Sequence, residues 1–179
     1  VWLGITEMQV VTISNNSQLE GWDLPNNPHW IGNPRDYIAK NASVTGTLSR
    51  YLSYSGTFTA LDTLSLANNR LTGAVPMMFS SRTLTHLDLS DNFLSGPLDF
   101  IAKLPELEEL RLDRNSFTGP LPDFSGLWSL QVVTLAHNNL NGVVPATLVR
   151  LRGLASVTLR DNLFQGPVPV FAESVQTDV

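Results

Sequence analysis

One sixteen-residue pattern recurs along most of the chain and constrains its fold more than any other feature. The clearest copy, LEELRLDRNSFTGPLP at residues 107–122, fits the template L-x-x-L-x-L-x-x-N-x-L-x-G-x-[VL]-P. Four further copies begin at Leu61, Leu84, Leu130 and Leu154, so that consecutive copies start 23, 23, 23 and 24 residues apart. A unit that recurs at such a fixed period stacks on its neighbours and builds a solenoid.

The spacing of the leucines predicts the shape of each unit. The L-x-L core has period two, so Leu110 and Leu112 point inward while Arg111 between them faces outward. This pattern is typical of leucine-rich repeats, in which each unit adds one strand to a curved parallel sheet. Parallel strands need long crossovers, which the rest of each unit supplies. The sequence predicts an α/β solenoid, a right-handed superhelix with a concave parallel sheet of about seven strands and a convex side mostly of loops and 3-10 turns.

An asparagine follows the strand at a fixed offset in each regular unit. An amide side chain can both donate to and accept from backbone groups that no strand ladder pairs. The alternative is that these are ordinary turn asparagines with local backbone bonds. The fixed offset favours a structural ladder, formed by Asn16, Asn69, Asn92, Asn115, Asn138 and Asn162.

All 179 residues are predicted to form one repeat domain with irregular and regular parts. Residues 1–7 read as the tail of a truncated repeat, and residues 8–60 as irregular repeats that contain an insert at 21–37. Regular repeats occupy residues 61–169. Residues 170–179 form a C-terminal tail without a leucine template.

The second unit of the irregular part is degenerate but can be aligned through its glycine, Gly46. The alignment assigns apolar and ladder positions to Pro34, Tyr37, Ala39, Ala42 and Val44. We therefore expect Tyr37 and Ala39 to form the inward pair of this unit.

Composition and motifs argue against several classes of function. A hydrophobic content of 42 % with 15 % charged residues indicates a folded chain, and a formal net charge of -5 leaves no basic surface for nucleic acid. The chain contains no run of 18 apolar residues, so we expect no membrane insertion of this segment. His86, Asp88 and Asp113 could serve as acid, base or metal ligands, but an open sheet neither excludes water nor desolvates a carboxylate. We therefore expect no catalysis, no metal and no cofactor.

Outward-facing charges concentrate in the fourth and fifth rows of the concave sheet. Such a run on a sheet is often only a solvated face, but a curved sheet offers its greatest contact area at the middle. The candidate partner-binding residues are His86, Asp88, Asp91, Glu109, Arg111 and Asp113. Secondary candidates are Trp22 and Trp30 in the insert, because loops on a rigid scaffold often carry function. We favour the concave rows.

Two N-glycosylation sequons occur, Asn15-Asn16-Ser17 and Asn41-Ala42-Ser43. Such tripeptides also arise by chance. Both acceptor asparagines, Asn15 and Asn41, fall one place before the ladder position, at an edge of the predicted sheet. We expect at least one of them to carry a glycan if the chain is secreted.

The endings LTGAVP, LNGVVP and FQGPVP resemble the plant-type leucine-rich repeat of receptor-like kinases and receptor-like proteins. More narrowly, GPLPDFSGL at 119–127, FQGPVPVF at 164–171 and NASVTGTL are similar to the first repeat block of transmembrane-kinase (TMK-type) receptor ectodomains. That resemblance implies an extracellular setting and a plasma-membrane parent with a Ser/Thr kinase domain that this segment does not contain. It also implies a link to auxin signalling and an apoplastic auxin-binding protein as partner.

Two functions follow as hypotheses. The first is a recognition module of a plant receptor-like kinase, on the apoplastic face of the plasma membrane, that binds a protein or peptide ligand or a co-receptor. The second is a secreted inhibitor of a wall-degrading glycosidase, similar to the plant polygalacturonase-inhibiting proteins, which share this repeat type. In neither case is the segment expected to be an enzyme.

Overall fold

The computed structural model describes residues 9–16, 34–48 and 60–179. The predicted truncated repeat at 1–7 lies outside the described residues, as do Trp22 and Trp30 of the insert. Nearly all of the described secondary structure is β-strand. The fourteen strands are β1 (Val10–Thr12), β2 (Asp36–Ile38), β3 (Thr45–Thr47), β4 (Thr63–Ser65), β5 (Arg70–Ala74), β6 (His86–Asp88), β7 (Phe93–Gly96), β8 (Glu109–Arg111), β9 (Ser116–Pro120), β10 (Val132–Thr134), β11 (Asn139–Gly142), β12 (Ser156–Thr158), β13 (Leu163–Phe164) and β14 (Gln176–Asp178).

The strands form two parallel sheets. The first has eight strands in the order β1-β2-β4-β6-β8-β10-β12-β14, and the second has six in the order β13-β11-β9-β7-β5-β3. A 3-10 helix at Asp99–Lys103 and a short α-helix, α1, at Ala146–Val149 lie in the segments that return to the first sheet. In the part of the chain that the structure describes, no helix is long and apolar enough to cross a bilayer. The prediction of a parallel leucine-rich-repeat solenoid is confirmed.

The eighth strand of the first sheet lies in the segment that the leucine template marked only as a C-terminal tail. β14 pairs in parallel with β12, and Gln176 N donates to Ala155 O at 2.8 Å while Leu159 N donates to Asp178 O at 2.7 Å. All three residues of β14 are exposed. Because this strand is held by backbone hydrogen bonds rather than by inward leucines, the template could not predict it.

The second sheet was also absent from the sequence prediction. Five of its six strands begin directly after the ladder position, as β7 does after Asn92, and β3 begins three residues after Ala42. Within β7, Leu94 is buried while Phe93 faces solvent. The template glycine ends the strand: Gly96 has φ of 84°, and a Cβ there would lie 2.9 Å from Ala74 Cβ of the preceding turn. Both the backbone conformation and the close approach of the neighbouring turn therefore require glycine.

The core between the sheets is built from the template's apolar positions. Leu87, Leu110 and Leu112 have no solvent exposure, and the same holds for most inward leucines of the regular repeats. The alignment of the degenerate repeat is confirmed by burial. All five aligned side chains are buried: Pro34, Tyr37, Ala39, Ala42 and Val44.

The asparagines after the strands connect adjacent turns of the solenoid. Asn138 Oδ1 accepts from Phe117 N at 3.0 Å, and its Nδ2 donates to Leu112 O at 3.0 Å in the preceding turn and to Leu135 O at 3.1 Å in its own. Asn138 is buried. The same arrangement recurs at Asn69, Asn92, Asn115 and Asn162. Asn16 is exposed and donates to Ile13 O and Ser14 O within its own turn.

We expect Asn138→Ala to lower the free energy of unfolding by about 1 to 3 kcal/mol, because it leaves buried backbone groups of two turns without partners. Urea denaturation followed by circular dichroism measures this loss. The matched control is Asn139→Ala, one residue further on, where the side chain is exposed on β11. Equal losses in the two variants would contradict the role of Asn138 between turns.

Asn68 is a less suitable control for this experiment. It precedes the ladder residue Asn69 and is exposed, but its φ is 55°, in the left-handed region. Alanine at such a position carries a backbone cost of roughly 1 to 2 kcal/mol. That cost would be mistaken for the loss of a side-chain hydrogen bond.

Candidate functional site

The outward side chains of the middle strands of the first sheet line a shallow depression of about 430 Å³. Its floor is formed by Leu64 and Leu87, whose side chains point into the core. The polar residues around it are Lys40, Thr63, Ser65, His86, Asp88, Ser90, Glu109 and Arg111. The parallel register aligns these side chains from neighbouring turns, since His86 pairs with Glu109 and Asp88 with Arg111.

Four of the predicted partner-binding residues therefore meet in one place, namely His86, Asp88, Glu109 and Arg111. The other two, Asp91 and Asp113, do not line the depression. Asp91 has φ of 52° and forms an ion pair with Arg114 at 3.5 Å. Asp113 accepts hydrogen bonds from the Thr134 hydroxyl and, at 2.9 Å, from Ala136 N. Both carboxylates are already engaged within the protein.

Asp88 is held by groups from three turns. Lys40 Nζ lies 2.9 Å from its Oδ2, and Ser90 donates to its Oδ1 through both the hydroxyl at 2.7 Å and the backbone N–H at 3.2 Å. The Ser65 hydroxyl is 3.4 Å from Oδ2. Burial by itself raises the pKa of Asp88, but the bonds from Ser90 and Lys40 outweigh it and hold the pKa below its usual range. Asp88 is therefore an anchor of the surface rather than a free charge.

Lys40 was not among the residues predicted from the sequence to bind a partner, although it belongs to the outward row of the degenerate repeat. The signal that could have identified it is its place two turns before Asp88, since neighbouring parallel strands lie about 4.8 Å apart and a lysine can reach across one turn. Its ammonium passes over β4 to reach Asp88.

A second polar cluster is formed by the residues that directly precede strands β2, β4 and β6, namely Arg35, Asp62 and Thr85. Arg35 donates to Asp62 Oδ2 from Nε at 3.0 Å and from Nη2 at 2.8 Å. The Thr85 hydroxyl donates to Asp62 Oδ1 and lies 2.7 Å from His86 Nδ1. The Thr85 hydroxyl and the Arg35 guanidinium hold the pKa of Asp62 below its usual range, against the opposing effect of burial.

This polar cluster continues into the depression through His86. Its Nε2 lies 3.9 Å from Glu109 Oε2, and Arg111 Nε donates to the other carboxylate oxygen, Oε1. The side chains of His86 and Arg111 are nearly half exposed, at 46 % and 45 %. A partner can therefore reach both side chains, whereas Lys40, which is similarly exposed, has its ammonium held by Asp88.

The chemistry of the depression suits recognition. Its charges are mostly matched in pairs, and it is open to water. Burial desolvates Asp88 in part, but its hydrogen bonds keep its pKa lowered, whereas a general acid that works near neutral pH needs a raised one. Within the described residues, no group of three or more His, Asp or Glu is placed to hold a metal ion.

The two sequon asparagines lie side by side on one edge of the first sheet. Asn15 and Asn41 are exposed, with φ of 60° and 51°. Asn41 Nδ2 donates to Asn15 Oδ1 at 3.2 Å, and Asn68 Nδ2 donates to Asn41 Oδ1 at 3.3 Å. Asn15 and Asn41 are thus reachable from solvent.

Comparison with known proteins agrees with this architecture. The family model for the leucine rich repeat matches residues 59–117. A search of curated protein sequences found no match.

Solved structures provide closer likenesses. The chain is 28 % identical to PEPR1 in the PEPR1–AtPEP1 crystal structure, with a TM-score of 0.73 over 87 % of this chain and 22 % of PEPR1. It is 28 % identical to the ectodomain of the Arabidopsis receptor kinase HAESA in complex with an IDA peptide hormone ligand, with a TM-score of 0.68 over 76 % of this chain and 23 % of HAESA. A plant ice-binding protein is 27 % identical, with a TM-score of 0.74 over 88 % of this chain and 51 % of that protein.

The chain is therefore a leucine-rich-repeat domain similar to the ectodomains of plant receptor kinases. It spans less than a quarter of PEPR1 and of HAESA. The ice-binding protein has the same fold, so the fold alone does not assign a function.

We expect Asp88→Asn to destabilise the protein at neutral pH and to lose this effect in acid. A carboxylate whose folded pKa lies below its unfolded value, about 3.9, stabilises the fold above that value, and the contribution is lost as the pH falls through the folded pKa. Denaturant unfolding of the variant and the wild-type protein at pH 7, 5, 4 and 3 checks this.

The matched control is Asp36→Asn on β2, a carboxylate on the same face without the bonds from Lys40 and Ser90. Its effect at neutral pH should be smaller than that of Asp88→Asn. A difference between Asp88→Asn and wild type that stays constant from pH 7 to pH 3 would contradict the anchoring role of Asp88.

Proposed function

We propose that the chain is an extracellular recognition module of a plant receptor-like kinase, and that it binds a peptide or protein partner at the depression on the concave face. The observation that carries the proposal is the cluster of His86, Glu109 and Arg111, held in register on two neighbouring short strands, β6 and β8, and left open to solvent. The likeness to PEPR1 and HAESA supports it, since HAESA is seen with a peptide hormone ligand.

The shape of the depression supports an extended ligand. It is partly open and lined mostly by polar side chains, unlike small-molecule sites, which are usually enclosed and largely apolar. The paired charges offer both donors and acceptors, which a peptide backbone can match along its length. A partner of this kind gains specificity from position-by-position matching rather than from one deep pocket.

The finer assignments rest on the sequence resemblance. We propose that the parent protein belongs to the TMK-type receptors and carries a Ser/Thr kinase domain, and that its partner is a co-receptor or an apoplastic auxin-binding protein. Retention of a purified auxin-binding protein on the immobilised chain would support this partner. The secreted-inhibitor alternative predicts instead that the chain reduces the activity of a purified polygalacturonase.

Within the depression, Arg111 is the residue whose loss we expect to weaken partner binding most. Buried or half-buried arginines dominate many interfaces, at about 2 kcal/mol or more per residue. Peptides from plant extracellular fluid are passed over immobilised protein and quantified by mass spectrometry. Peptides retained by the wild type should fall by roughly 30-fold or more on Arg111→Ala.

The matched control for this capture experiment is Arg152→Ala, an exposed arginine in the turn after α1, remote from the depression. It should retain the same peptides as the wild type. Equal retention by Arg111→Ala, or equal loss with Arg152→Ala, would contradict the concave site. The tryptophan alternative predicts that Trp22→Ala or Trp30→Ala abolishes retention while Arg111→Ala does not.

We also propose that secretion leads to N-glycosylation at Asn15 or Asn41. Expression through the plant secretory pathway should give a protein whose mass falls on enzymatic deglycosylation. Ser17→Ala and Ser43→Gly remove the sequons one at a time, and glycine suits the left-handed backbone at position 43, where φ is 52°. A secreted protein of unmodified mass, with both sequons intact, would refute this assignment.

A further inference from the structure

We infer that His86 and Glu109 together form a site for a nitrogen that carries at least two hydrogens, either the ammonium or the primary amide group of a bound partner. The inference deepens the proposed function, because it names the group that the depression receives. It depends on which polar atoms of Asp62, Thr85, His86 and Glu109 carry a hydrogen and which are free to accept one.

The Thr85 hydroxyl has a single hydrogen to donate. Asp62 Oδ2 is occupied by two donors of Arg35, and the Thr85 hydroxyl donates to Oδ1. The lowered pKa of Asp62 keeps the carboxyl group ionised at neutral pH, so that it can only accept. Thr85 has therefore already used its hydrogen.

The tautomer of His86 follows from its hydrogen bond with Thr85. Its Nδ1 lies 2.7 Å from Thr85 Oγ1, a hydrogen-bond distance. Since the hydroxyl donates to Asp62, the hydrogen in this second bond must come from the imidazole. The neutral ring therefore carries its hydrogen on Nδ1, and Nε2 is left with a lone pair.

His86 and Glu109 place two acceptors close together. Nε2 of His86 lies 3.9 Å from Oε2 of Glu109, while the other oxygen, Oε1, receives Arg111. In the neutral form of the ring, no hydrogen lies between Nε2 and Oε2. For a single nitrogen about 2.9 Å from each acceptor, the angle at the nitrogen between Nε2 and Oε2 is roughly 85°. Two of its N–H bonds can point at the two acceptors with modest bending of the hydrogen bonds. His86 and Glu109 are 46 % and 28 % exposed, so a partner can reach both.

The charges nearby leave two sources for that nitrogen. Glu109 is paired with Arg111, and Asp88 with Lys40, so that the local charge is nearly balanced. An ammonium, from a lysine or a chain terminus, gains from the remaining charge of Glu109. A neutral asparagine or glutamine amide avoids repulsion from Arg111. The two sources differ in charge and are therefore separable by experiment.

The tautomer is tested without any partner. The protein is labelled with ¹⁵N, and long-range ¹H–¹⁵N spectra of the histidine rings are recorded at about pH 8.5, where ordinary imidazoles are neutral. His86→Gln assigns the signal. We expect the Nδ1–H form in the wild type and in Thr85→Ser, and a shift toward the Nε2–H form in Thr85→Val. A wild-type ring in the Nε2–H form would overturn the inference.

The ligand group is tested with three small probes at equal concentrations. N-acetyl-lysine methylamide and N-acetyl-asparagine methylamide present the two nitrogen types, and N-acetyl-norleucine methylamide presents neither. We expect the Nε2 signal of His86 to move with lysine, asparagine or both, and not with norleucine. In Glu109→Gln the response should disappear, because the new amide can itself donate to Nε2.

A response to none of the probes, or an equal response to norleucine, would overturn the site. Neither measurement requires a receptor partner, so a negative result leaves the proposed recognition function intact. Conversely, retention of extracellular peptides that is insensitive to Arg111→Ala would refute the concave recognition surface without changing the tautomer of His86.

Discussion

The solenoid depends on the amide side chains that connect each turn to the one before it. In each repeat the chain turns from a strand of the first sheet to a strand of the second. The backbone N–H and C=O groups in that turn cannot all be paired by strand ladders. Asn92 shows how one residue resolves this: its Oδ1 accepts from Leu71 N, and its Nδ2 donates to Leu66 O and Leu89 O. Because one amide bonds to two turns, it also sets the distance and register between them.

That register produces the concave surface. When turns stack with a constant offset, outward residues of successive strands form rows, and charges far apart in sequence become neighbours. Lys40 and Asp88, 48 residues apart, meet at 2.9 Å for this reason. The proposed recognition chemistry is thus a consequence of repeat stacking. A substitution that weakens the stacking of the turns would separate the side chains of the depression without replacing any of them.

Much of the fold follows from the sequence because the apolar spacing has physical content. Period-two leucines allow only a one-sided strand, and their recurrence allows only parallel stacking, so the first sheet and the burial of Tyr37 and Ala39 could be predicted. The second sheet and β14 could not. Their pairing depends on backbone hydrogen bonds and on left-handed residues such as Gly96, which leave little trace in hydrophobic periodicity.

For the candidate site, the sequence by itself determined which side chains face outward and in which rows, and so brought His86, Asp88, Glu109 and Arg111 together. Only the tertiary structure decided which of these charges remain available. Asp88 is used by Lys40 and Ser90, since hydrogen bonds across turns depend on side-chain direction and distance rather than on residue order. The same is true of the hydrogen on His86, which is placed by the Thr85 hydroxyl and, through it, by a carboxylate one turn away.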